Sequence, residues 1–283
     1  MQMTIADNLD SLQRALMAAA AAGKRVAFVP TMGALHAGHM ALIEEAKKRA
    51  GFVVASIFVN PTQFAAGEDF DKYPRTLQDD IKKLDAAGAS LLYTPTQADM
   101  YPAGFSTTVS PGAMGGILCG RFRPGHFNGV ATVVAKLLLR VLPHVALFGE
   151  KDYQQLCIIR QTVRDLDIPI EIVGVPTVRE ADGLAMSSRN AYLSAQERKT
   201  APMLYRTLSE TAEKIAGGGK VAAVLEDGRA ALAQVGFRVD YLELCDADSL
   251  AARDTLIHPC RLLAAVWLGK TRLIDNVPVG WKS

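Results

Sequence analysis

The apolar run Val26-Ala27-Phe28-Val29, followed at once by Pro30-Thr31-Met32-Gly33-Ala34-Leu35-His36-Ala37-Gly38-His39, leaves this chain few choices of fold. Four apolar residues in succession read as a strand buried on both faces, and residues 41–50 read as a helix, so the segment between them is a strand-to-helix turn of a parallel sheet. Gly33 and Gly38 let the backbone approach a ligand closely. A helix beginning near Gly38 aims unpaired N–H groups and the positive end of its dipole back at the turn, where an anion belongs. His36 and His39 are three apart. If the helix has begun by His36, both imidazoles lie on one side, where they can donate to phosphate oxygens.

Two plainer readings compete for the histidines. A zinc site needs further ligands, and the remaining histidines and cysteines show no matching close cluster. Ordinary helix-start histidines would account for the pair alone. The whole pattern T-x-G-x-x-H-x-G-H directly after an apolar strand is more specific. It resembles that of nucleotidyl-transferring α/β enzymes, whose histidines stabilise charge on the α-phosphate as pyrophosphate leaves.

With 283 residues the chain has room for two modest domains, each with its own core. Apolar residues make up 49% and charged residues 21%, which excludes wholesale disorder. A net charge of +2 gives no general case for nucleic-acid binding, so attraction to phosphate must be local. Cys119, Cys157, Cys245 and Cys260 lack C-x-x-C spacing and read as reduced thiols. No basic leader precedes an apolar stretch and no apolar run reaches membrane-spanning length, so the expectation is a soluble, cytoplasmic protein that binds no membrane.

Taken in order, Asp7 or Asn8 caps a first helix ending at Gly23, and 52–59 is a second strand, apolar enough to be covered on both faces, that completes a β-α-β unit. That strand ends in Asn60-Pro61-Thr62-Gln63. Ligands collect at the carboxyl ends of parallel strands, and Gln63 there is either a substrate-holding amide or a polar loop residue. Thr76 reads as a helix cap. Asp79 and Asp80 in the first turn are either magnesium ligands or acids favoured by the helix dipole. A short strand spans 91–93, and 105–109 pairs either as an edge strand or across a subunit interface.

The cationic cluster around Arg121, Arg123 and His126 opens a long helix and meets an anionic substrate or solvent. The strand 145–148 runs into Gly149-Glu150-Lys151-Asp152, where Lys151 can neutralise phosphate and Asp152 can accept from ribose hydroxyls. Strand 170–175 closes the first sheet. Beyond Pro176, Met186-Ser187-Ser188-Arg189 in a loop with Gly183 makes a phosphate clamp that can close from a second domain. Helices over 194–216 and 221–235 and strands over 239–245 and 262–268 finish the chain. The fold expected is α/β: a Rossmann-like, doubly wound parallel sheet over 1–175 and a smaller α+β domain over 176–283 that carries the clamp loop.

The segments 30–39 (P-T-M-G-A-L-H-A-G-H), 59–64 (V-N-P-T-Q-F), 73–76 (Y-P-R-T), 123–127 (R-P-G-H-F), 149–155 (G-E-K-D-Y-Q-Q) and 182–190 (D-G-L-A-M-S-S-R-N) together resemble the pantothenate synthetase family across nearly the whole chain. The resemblance implies ATP-dependent condensation of pantoate with β-alanine through pantoyl adenylate, with Mg2+, in a homodimer formed through the larger domain. It implies that Pro30 to His39, Gly149 to Asp152, Val178 and Met186 to Arg189 bind ATP. His39 would be the proton donor, acting with His36, Lys151 and Arg189. It further implies that Gln63 and Gln155, with Asn60 and Arg123, hold pantoate and β-alanine, and that Asp79 and Asp80 lie where some members place magnesium. Cys119 departs from the pattern, standing where the family has a glutamate.

The residues suit such chemistry on their own account. A carboxylate must be activated before an amine displaces its oxygen, which asks for charge neutralisation, positioning and exclusion of water. A nucleotidylyltransferase would need a basic pocket for an acceptor phosphate in place of two glutamines. A tRNA-charging enzyme would need a basic tRNA-binding module, and a nucleotide sensor would not need both histidines, Lys151 and Arg189.

Overall fold

The computed structural model describes residues 3–65, 67–257 and 259–280. Contacts divide the chain into two compact units. One runs to Glu150 and resumes over Ile158–Pro176, and the other takes Lys151–Cys157 and the residues from Thr177 onward.

The first unit opens with β1 (Thr4–Ala6), α1 (Leu9–Ala21), β2 (Val26–Thr31), α2 (Ala37–Arg49) and β3 (Phe52–Ile57). It continues through α3 (Leu77–Ala87), β4 (Leu91–Tyr93), the short α4 (Gln97–Met100) and α5 (Cys119–Phe122), then α6 (His126–Val141) and β5 (Val145–Gly149). Next come α7 (Tyr153–Asp165), whose first residues group with the other unit, and β6 (Glu171–Val175). The strands form one parallel sheet in the order β1-β4-β3-β2-β5-β6. Ala27, Val29, Val53, Ala55 and Leu147 from the sheet pack with Ile43 of α2 and Leu84 of α3, so helices cover a face that the apolar strand sequences require to be dry. Strand order runs outward in opposite directions from β2 and β5. The order thus switches between β2 and β5, whose carboxyl ends are the usual ligand position of such sheets, and β2 delivers the histidine turn to that end.

The sequence reading needs correction in places. Strand β1 is too short to show periodicity, yet it pairs with β4 at the sheet edge. The segment 105–109 forms no edge strand of the sheet within the chain; the Val109 N–H instead donates to Thr132 Oγ1 at 2.9 Å. Thr76 precedes α3 without a side-chain capping bond; its hydroxyl donates to Asp80 at 3.1 Å.

The second unit carries α8 (Ala195–Thr200), α9 (Met203–Ala216) and α10 (Val221–Gln234), with an antiparallel sheet β7 (Arg238–Asp246), β8 (Cys260–Leu268) and β9 (Thr271–Val279) in that order. Its core gathers Leu204 and Leu208 of α9 with Leu242, Leu262 and Val266 of the sheet. The one helix expected over 194–216 breaks at Pro202, which brings no N–H to continue it. Strand β9 escaped the sequence reading because Arg272, Asp275, Asn276 and Pro278 obscure its alternation. Gly269, at φ +56°, opens the two-residue loop that pairs Leu268 with Thr271, and Pro278 is tolerated because β9 is an edge.

Helix α6 packs so closely on 61–63 that a Cβ at Gly129 would overlap the Thr62 carbonyl. Gly129→Ala is therefore expected to destabilise the protein by about 1–3 kcal/mol, the usual cost of overpacking. Thermal unfolding checks this, and an unchanged midpoint would rule out the close approach.

Candidate functional site

The turn after β2 satisfies its own backbone. Thr31 Oγ1 donates to the Ser56 carbonyl at 2.7 Å and accepts from the Gly33 N–H at 3.1 Å. Gly33 at φ +84° and Ala34 at φ +52° follow, the second a left-handed alanine costing about 1 kcal/mol. The next two N–H groups, of Ala34 and Leu35, donate to the two oxygens of Asp80 at 2.9 and 2.8 Å. Asp80 lies on the first turn of α3 with no exposed surface.

His36 is the N-cap of α2. Its Nδ1 accepts from the Gly38 N–H at 3.1 Å, while His39 Nδ1 accepts from the His36 N–H at 3.2 Å, a reciprocal cap made of two imidazoles. The ring centroids are 4.2 Å apart. A nitrogen that accepts from an N–H carries no proton, so each neutral ring holds its proton on Nε2. The expected anion cradle of unpaired helix N–H groups is thus revised. The N–H groups of Gly38, His39 and Met40 bond within the turn, and the donors this arrangement presents are the imidazole Nε2–H groups.

Beyond β3, Asn60 Nδ2 donates to Gln63 Oε1 at 3.0 Å and to the Gly129 carbonyl at 3.2 Å, and the Tyr101 hydroxyl donates to Asn60 Oδ1 at 2.7 Å. With its oxygen taken by Asn60, Gln63 presents its amide nitrogen as donor, 3.1 Å from Met32 Sδ. The Gln63 backbone is held as well. Arg123 has only donors, so its Nη1 bonds His126 Nε2 at 3.0 Å and leaves His126 Nδ1–H to donate to the Gln63 carbonyl at 2.7 Å. Glu68 grips Arg123 with both oxygens at 2.6 Å. Arg123, read as a substrate contact, is therefore committed to Glu68, His126 and Gln63. Tyr101, Glu68 and His126 were not picked out as supports; only the R-P-G-H spacing hinted at the last.

In the second unit Lys151 Nζ lies 3.7 Å from Asp152 Oδ1, and the Lys151 carbonyl accepts from Asn276 Nδ2 at 3.0 Å. Arg261 donates to Asn276 Oδ1 at 2.7 Å and fixes that amide. The Met186 N–H bonds the Val178 carbonyl at 3.0 Å, and Ser187 Oγ accepts from the Arg189 N–H at 3.3 Å. Arg179 braces this loop through a bidentate pair with buried Asp275 and a contact over the Tyr205 ring. Gln155 lies half-buried on α7. The sequence-predicted residues thus form two groups, one in each unit, each with a support of ion pairs and amides.

Among the described residues no three His, Cys, Asp or Glu side chains gather as a metal site requires, which leaves the zinc reading of His36 and His39 without support. Asp79 is exposed and 3.5 Å from Lys82. All four cysteines are buried, and burial, with nearby negative charge, pushes the Cys245 thiol up to about 12. No described helix is long and apolar enough to cross a membrane.

Comparison with known proteins gives a consistent result. A sequence profile of the pantoate-beta-alanine ligase family matches residues 4–278. The pantothenate synthetase of Rhodospirillum rubrum is 55% identical over 98% of this chain and 99% of its own length. That of Pseudomonas aeruginosa is 53% identical over 98% and 99%. Among solved structures, pantothenate synthetase from Thermus thermophilus superposes with a TM-score of 0.91 at 49% identity, covering 97% of this chain and 99% of that one. A Francisella tularensis pantoate-beta-alanine ligase, complexed with an ATP species and β-alanine, gives 0.82 at 36% identity over 97% of each chain.

The Glu68–Arg123 pair is testable without any ligand. Burial pushes the Glu68 carboxyl up, but the hydrogen bonds and charge of Arg123 outweigh it and hold it below its ordinary value. A depressed folded value stabilises the protein above the unfolded pKa of about 4.3, and that contribution is lost as pH falls through the folded value. Glu68→Gln is therefore expected to lower the thermal midpoint at pH 7, with the gap to wild type closing below pH ~4. A pH-independent gap would contradict the assignment.

Proposed function

Since the chain belongs to the pantoate–β-alanine ligase family and joins pantoate to β-alanine at the expense of ATP, we propose how its own residues carry the reaction. The observation that carries the reading is the pair of adjacent, mutually tilted imidazoles whose Nδ1 atoms are tied to the backbone, so that each ring's Nε2–H is its donor just beyond the carboxyl end of β2.

The carboxylate oxygen of pantoate attacks the α-phosphorus of ATP, the bond to the bridging oxygen breaks, and pyrophosphate leaves. The β-alanine amine then attacks the acyl carbon of pantoyl adenylate, the carbon–oxygen bond breaks, the nitrogen gives up its proton and AMP departs. Negative charge grows on the phosphate in the first step. His36 and His39 stabilise it through Nε2–H, with His39 as proton donor, and Lys151 and Arg189 add positive charge. Their fixed orientation means that little reorganisation is needed as the charge develops.

Pro30 to His39 and Gly149 to Asp152 line the ATP site, with Asp152 at the ribose, Val178 and Met186 at adenine, and Ser187 and Ser188 at phosphates. Gln63 and Gln155 hold pantoate, and Gln63 also serves β-alanine. Asn60 and Arg123 act through Gln63, which their bonds orient. Asp79 and Asp80 do not fit a paired magnesium site, because Asp80 is spent on backbone N–H groups and leaves only Asp79, itself 3.5 Å from the Lys82 ammonium.

A cytoplasmic homodimer completes the reading, supported by the burial of all four cysteine thiols and by exposed Leu139 and Leu142 on and beside α6. Sedimentation is expected to give twice the 30.4 kDa chain mass. A monomer would remove this part.

Pyrophosphate release with Mg-ATP and pantoate is the test. A single-turnover burst is expected without β-alanine and steady turnover with it, and no release would overturn the reading. His39→Ala is expected to lower release about a hundredfold or more while remaining folded by circular dichroism. Unchanged release would refute the role given to His39.

A further inference from the structure

We infer that Asp80 is a positioning residue that sets the conformation of the histidine turn, and that its carboxylate is unavailable as a magnesium ligand. The inference rests on the reaction proposed above.

Four contacts consume the carboxylate. Oδ2 accepts from the Ala34 N–H at 2.9 Å and from Thr76 Oγ1–H at 3.1 Å, while Oδ1 accepts from the Leu35 N–H at 2.8 Å and lies 3.9 Å from Lys83 Nζ. A carboxylate without exposed surface is stable only when so bonded. Lys83, one turn further along α3, donates to the Leu35 carbonyl at 2.7 Å, so α3 grips both sides of that residue. The Leu35 side chain is buried in the core.

What is gripped is the part of the turn that would otherwise relax. Gly33 and Ala34 are both left-handed, and a Cβ at Gly33 would lie 3.2 Å from Asp80 Oδ2. Two left-handed residues in succession hold this geometry because their neighbours over-determine it. Leu35 leads directly to His36, whose extended backbone starts α2 and orients both imidazoles. Asp80 touches neither ring nor any reacting atom. It acts through the 34–35 peptide on where the Nε2–H groups lie.

Asp80→Asn keeps one acceptor and turns an NH2 group toward a backbone N–H. The expected result is a fall in kcat for pyrophosphate release of about ten- to a hundredfold, since small displacements of a catalytic group cost rates of that order. KM for β-alanine and the half-saturating Mg2+ concentration are expected to stay within twofold of wild type. A half-saturating Mg2+ raised tenfold or more, with kcat restored at high Mg2+, would instead make Asp80 a metal ligand; unchanged kcat would also overturn the inference.

Hydrogen exchange on the wild-type protein removes dependence on the variant's folding. The Ala34 and Leu35 amides are expected to be protected equally with and without Mg2+. Protection that appears only with Mg2+, or none at all, overturns the inference whatever the kinetics show. Failure of wild-type pyrophosphate release would count against the reaction alone, since the exchange measurement needs no substrate.

Discussion

A buried carboxylate bonded to two consecutive peptide N–H groups is the constraint from which the geometry of this protein's first unit follows. By taking the amides of Ala34 and Leu35, Asp80 lets the chain leave β2 through two left-handed residues and still bury the Leu35 side chain. That path ends at His36 in extended geometry, which is what an N-cap requires. Helix α2 then begins where it does because the imidazoles cap it, and capping decides which ring nitrogen carries the proton. Sheet order places all of this beside β5, at the point where the strand sequence reverses.

The same economy recurs at the glutamine. Gln63 is held through its side chain by Asn60, itself bonded by Tyr101, and through its carbonyl by His126 and Arg123, which Glu68 anchors. The close packing of α6 at Gly129 supplies the floor. In the second unit Asn276, fixed by Arg261, holds the Lys151 carbonyl, and the Arg179–Asp275 pair braces the loop that precedes Ser187. Charged groups that look available in the sequence, Arg123 above all, are thus spent on orienting others. Preorganisation of this kind suits a reaction whose demand on the protein is to meet developing charge with donors already in place.

Much of this was legible beforehand. The parallel sheet followed from largely apolar strands at 26–29, 52–59 and 145–148, and the positions of His36, His39, Gln63 and Lys151 beyond strand ends followed from where those strands stop. What stayed hidden depended on tertiary partners. Nothing local distinguishes Asp80, with its oxygens on a turn 45 residues away, from Asp79 in open solvent. Strand β9 was masked by side chains that serve networks, Asp275 toward Arg179 and Asn276 toward Lys151, at the expense of alternation. Strand β1 carries too few residues for a period to appear.

The claim on which the account turns is that backbone donors, and no phosphate, occupy Nδ1 of both histidines. Nitrogen-15 NMR of the protein labelled in its histidines, without nucleotide near neutral pH, reports the protonation of each ring nitrogen, and His36→Asn and His39→Asn assign the signals. The account predicts two neutral rings, each with its proton on Nε2 and an accepting Nδ1. An imidazolium, or a proton on Nδ1 of either ring, would contradict it.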